Sequence, residues 1–102
     1  MYTYFEITHF DGAIGQHVTQ AYRWSWQTCP YQGDQYVCIE ANAGTDTLPD
    51  WTHEEGVDNR RQLSSWIKRQ AREAAKELAQ WQKEQAELAE QARLDVAEFM
   101  AG

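Results

Sequence analysis

Six side chains carry the chemistry for a metal site or a nucleophile: His9, Asp11, His17, Cys29, Cys38 and His53. A zinc site draws its ligands from short, regular spacings such as C-x-x-C or H-x-x-x-H, and no pair here has one. His9 and Asp11 stand two apart and could share an ion, but two ligands do not close a site. A cysteine nucleophile needs a helix N-terminus or neighbouring cations to lower its pKa, and neither Cys29 nor Cys38 has them nearby in sequence. Glu54 and Glu55 are adjacent carboxylates, which read as dipole-favoured surface groups at a helix start. No glycine-rich loop is built to cradle phosphate. These residues point to a non-enzymatic protein with no metal and no cofactor.

Charge narrows the partners. The 102-residue chain carries −7 overall, and the imbalance sits in the first 57 residues, where eight acids face Arg23 alone. An acidic globule repels nucleic-acid phosphate and suits a basic protein surface. Tyr22, Trp24, Trp26, Tyr31 and Tyr36 could stack bases, but a single-strand binder needs a basic groove beside its aromatics. No stretch approaches the ~20 apolar residues of a membrane span. The N-terminal YTYFE lacks the basic and apolar regions of a signal peptide, so a cytoplasmic location is expected.

The element that must position everything else is the run from Asp58 to Ala101. It holds no glycine or proline and is dense in Ala, Glu, Gln, Lys, Arg and Leu. It reads as one helix, or as two with a short bend, and would overhang a 57-residue globule of about 26 Å diameter. Ile67, Ala71, Ala74, Leu78, Trp81, Gln85, Leu88, Ala92 and Phe99 follow heptad spacing, with Asp95 or Val96 in the last gap. The seam is alanine-rich, hence weak per residue. Residues 58–76 hold six bases against two acids, and residues 77–102 six acids against two bases. Antiparallel copies would set each +4 half beside a −4 half, so an antiparallel homodimer is expected. Its self-association residues are Ile67, Ala74, Leu78, Trp81, Leu88 and Phe99.

Upstream lie three expected strands. Residues 2–8 are aromatic and β-branched, with Phe5 and Ile7 facing inward. Asp11-Gly12 and Gly15 mark a turn, and Asp-Gly favours a tight hairpin. Residues 17–27 alternate, placing Val18, Tyr22, Trp24 and Trp26 on one face. Residues 35–41 form the third strand, with Val37 and Ile39 inward. A turn centred on Gly33-Asp34 would pair Cys29 with Cys38 as neighbouring reduced thiols. Residues 42–50 read as a loop. Thr52 to Glu55 fits a capping box, hence a short helical turn, and Asp58 or Asn59 caps the main helix. The expected fold is α+β: a three-stranded antiparallel meander in an acidic, aromatic domain over 1–57, then a long amphipathic helix over 58–102.

In size, charge and composition the chain resembles the small acidic inhibitors that phages and mobile elements direct at host machinery, CRISPR inhibitors and DNA mimics among them. That resemblance implies blockage of a basic surface on a larger, nucleic-acid-handling protein. The contact residues expected are Asp34, Asp46, Asp50, Glu54, Glu55, Trp24 and Trp26. Two alternatives stand beside it: an assembly protein oligomerising through its helix, and an antitoxin-like protein whose helix wraps a toxin.

Overall fold

The computed structural model describes residues 1–101. Four strands and one helix follow in order: β1 Thr3–Asp11, β2 Gln16–Thr28, β3 Gln35–Asn42, β4 Trp51–Val57 and α1 Arg60–Ala101. The strands form one antiparallel sheet in sequence order. The meander therefore has four strands, not three. The segment expected as a capping box and helical turn is β4, which completes the open edge of β3. Gly56 lies within this strand, where an added Cβ would come within 3.3 Å of the Tyr36 ring. Glu54 is the extra residue of a bulge, since Ile39 pairs with Glu55 and Glu40 with His53.

Both hairpin turns differ from the tight ones expected. β1 and β2 are neighbours, but four residues join them. The Asp11 side chain accepts the Ala13 amide at 2.9 Å, and Gly15 takes φ 67°, open to glycine without strain. Between β2 and β3, Cys29 N–H donates to the Asp34 carbonyl and Gly33 N–H to the Cys29 carbonyl. This six-residue loop accommodates Pro30 outside the ladder. It shifts the register so that Cys38 opposes Ser25 rather than Cys29. The two cysteines are free thiols, but four residues of strand part them, about 13 Å.

The inward faces follow the alternation. Phe5, Ile7, Tyr22, Trp24, Val37, Ile39 and Val57 meet Leu63, Trp66 and Ile67 of the helix. Val37 and Ile39, on a central strand, are fully buried. Phe5 stacks on Tyr22, and Tyr22 meets Trp66 edge-on. Leu63 and Trp66 close this core, so the sheet depends on the first turns of α1 for its apolar cover.

The helix is capped by Asn59, whose side chain accepts the Gln62 amide at 2.9 Å. Gln62 reaches back to the Asp58 amide at 2.8 Å, so a reciprocal cap exists seven residues beyond the expected one. From there α1 runs diagonally across the sheet towards β1 and leaves past the β1–β2 turn. Ala74 and Leu78 are half-buried there, lining a cleft with Thr8, Phe10 and His17 at that edge. Small side chains let the helix hug an edge strand and cover it. This accounts for Ala74 in the heptad seam. Trp81 rests on Phe10 at 4.6 Å between ring centroids, with Gly12 leaving it space. Beyond Trp81 every described residue of the helix is exposed.

Two truncations are expected to separate the halves of α1. Trp66→Ala should lower the unfolding free energy by about 3–5 kcal/mol. Leu88→Ala should change it by no more than ~0.5 kcal/mol. Urea denaturation followed by circular dichroism checks both.

Candidate functional site

The residues singled out for partner contact do not form one patch. Asp34 sits in the β2–β3 loop, while Asp46 and Asp50 lie in the β3–β4 loop, at the opposite end of eight-residue β3. That is roughly 27 Å of strand. Glu54 and Glu55 are exposed on β4. Trp26 is 42% exposed, whereas Trp24 is half-buried against the core and under the Arg60 guanidinium. Of the self-association set, Ile67 joins the core, and Ala74, Leu78 and Trp81 face the sheet at the β1 edge. Leu88 and Phe99 are free.

Three surfaces have chemistry. The first is the helix beyond Trp81. At 100° per residue, Leu88, Ala92, Val96 and Phe99 continue the stripe that Leu63, Ala74 and Trp81 turn to the sheet. Leu88 is 63%, Val96 62% and Phe99 83% exposed. Residues 82–101 hold five acids against two bases. Glu84, Glu87, Asp95 and Glu98 run along one flank of the stripe. Arg93 is tied to Glu90 by a bond of 2.6 Å, which lowers the Glu90 pKa. A groove of about 760 Å³ leads into this tail, lined by His9, Phe10, Asp11, Glu77, Trp81 and Glu84 among others. His9 and Asp11 thus share this groove. Among the described residues no cluster of three His, Cys, Asp or Glu side chains could hold a metal.

The second surface is the sheet face turned away from the helix. Its centre is the Arg23–Glu40 ion pair at 3.1 Å, both side chains over four-fifths covered. The Arg23 guanidinium lies 3.8 Å from the centroid of the Tyr2 ring and 4.6 Å from that of Trp51. Burial works against the Arg23 charge, and Glu40 outweighs it, so its pKa is raised. Tyr4 packs between Tyr2 and Trp51. None of Tyr2, Tyr4 and Trp51 stood out in the sequence. The alternation of β1 puts Tyr4 beside Glu6 on this face, but Trp51 joins only because β4 exists.

The third is a thiol–imidazole contact that sequence spacing does not reveal: Cys38 Sγ lies 3.5 Å from His53 Nδ1 across β3 and β4. Geometry alone would suit a nucleophile. Burial, and then the Glu40 charge, push the Cys38 thiol pKa up. The thiolate needed for attack is therefore disfavoured.

No family model, curated protein or solved structure matches the chain. No helix among the described residues is long and apolar enough to cross a membrane.

Because its thiol is held neutral, Cys38 should be alkylated slowly in the folded protein. Iodoacetamide at pH 8 should label it several-fold more slowly than in urea. Equal rates by peptide mass mapping would show that the fold does not suppress the thiolate, and a faster folded rate would show an activated thiol.

Proposed function

We propose that this is a non-enzymatic binding protein that engages a larger protein with a basic surface through its projecting helix. The observation that carries this reading is the continuation of the apolar stripe beyond the sheet. Leu88, Ala92, Val96 and Phe99 lie exposed on the face that packs inward up to Trp81. A solvated helix of this length gains from a partner on that stripe. Its acidic flank and the groove at Asp11, Glu77 and Glu84 favour basic side chains around an apolar centre. The finer reading, an inhibitor of the phage or mobile-element kind that occludes a nucleic-acid-handling protein, rests on size, acidity and composition.

Self-association is the second reading, since a free stripe also suits a copy of itself. Sterics and charge weaken it. A parallel pair would force both sheets between the helices. An antiparallel pair is confined to the two tails, because the stripe of residues 63–81 already faces the sheet. Like flanks then meet, acid against acid, and the basic half-helices stay out of the contact.

Immobilised protein should retain a stoichiometric basic partner from the cells that make it. Retention should weaken with salt and be lost in the variant carrying Leu88→Asp, Val96→Asp and Phe99→Asp. That variant should unfold as the native chain does. Undiminished retention would place the contact elsewhere. A tail-dependent dimer strengthened by salt, with no foreign partner, would favour the second reading.

A further inference from the structure

The sheet face turned away from the helix carries a groove of about 480 Å³, lined by Tyr4, Glu6, Ala21, Asn42, Asp46 and Trp51 among others. We propose that this groove is a binding site for an arginine side chain of a partner polypeptide.

The walls supply both halves of guanidinium recognition. Tyr4 and Trp51 pack on each other at a tilt, with centroids 5.8 Å apart, and form an aromatic wall on one side of the groove. The protein already uses this surface for that purpose, since Arg23 stacks on Trp51 and Tyr2. A planar, weakly hydrated guanidinium stacks in this way more readily than an ammonium. The carboxylates are the second half. Arg23 is neutralised by Glu40. Glu6 and Asp46 have no Lys, Arg or His partner among the described residues. Two negative charges therefore stand uncompensated beside the exposed Tyr4 ring and the half-buried Trp51 ring.

The wall that carries Asp46 is held in place. Asn42 Oδ1 accepts the amides of Gly44 and Asp50, each at 2.9 Å. Asn42 Nδ2 donates to the Thr45 carbonyl, and Ala43 N–H to the Asp50 carbonyl. The Thr45 hydroxyl accepts the Leu48 amide at 3.0 Å. A Cβ at Gly44 would collide with the Leu48 carbonyl and the Asp50 amide, so this tight closure of the loop needs glycine. Preorganisation of this kind lowers the ordering cost of binding.

This site goes beyond the reading built on the helix, since it lies on the opposite face of the sheet and uses none of the tail. Its test needs no natural partner. N-acetyl-arginine amide is titrated into 15N-labelled protein, with the citrulline analogue as a neutral isostere. The expected result is a saturable shift of the Trp51 indole and of amides 42–50 with the arginine compound alone. The Glu6→Gln, Asp46→Asn double variant should bind roughly fivefold more weakly with an otherwise unchanged spectrum, as exposed ion pairs suggest. Gly44→Ala, which disturbs the loop rather than the charges, should weaken binding too. Equal shifts with citrulline, no shift at Trp51, or shifts spread over every acidic surface would overturn the site. Loss of tail-dependent partner retention with this titration intact would overturn only the helix-based function.

Discussion

One apolar stripe runs the length of α1, and a four-stranded sheet reaches only its first half. The helix has 42 residues, about 63 Å at 1.5 Å per residue. The sheet buries Leu63 and Trp66, partly covers Ile67, Ala74 and Leu78, and stops at Trp81 on Phe10. Everything else follows from that mismatch. The first half of the helix completes a core built on Val37 and Ile39. The second half keeps the same periodicity with nothing of its own chain to cover it.

The same constraint changes the meaning of the charge pattern. In sequence, the basic and acidic halves of the helix look made for antiparallel pairing. In three dimensions the basic half lies over the sheet, and its apolar face is occupied. The acidic half is what projects. The early bases also oppose the helix dipole, and the Asn59–Gln62 cap satisfies that end of the helix by hydrogen bonding instead.

Much of the fold was legible because burial imposes periods. Period two exposed Phe5, Ile7, Tyr22, Trp24, Val37 and Ile39 as inward residues, and the long run without glycine or proline announced the helix. β4 was hidden because WTHEEGV has only Trp51 and Val57 as apolar markers, and a bulge at Glu54 breaks its alternation. A capping-box pattern there offered a local alternative that the unpaired edge of β3 overrode. The Cys29–Cys38 pairing failed because a six-residue loop, rather than a two-residue turn, set the register. The Trp51 half of the cover over Arg23 and the Cys38–His53 contact were illegible for one reason: both need β4 in its place.

The tail of α1 projects free of the sheet, and solution scattering tests that directly. Small-angle X-ray scattering of the purified chain, with mass from light scattering, should give an 11.9 kDa monomer. Its radius of gyration should lie near 20.6 Å and its longest dimension near 75 Å. A radius near 13 Å, the value for a compact chain of this length, would mean the helix folds back and covers its own stripe. A doubled mass would mean a second copy covers it.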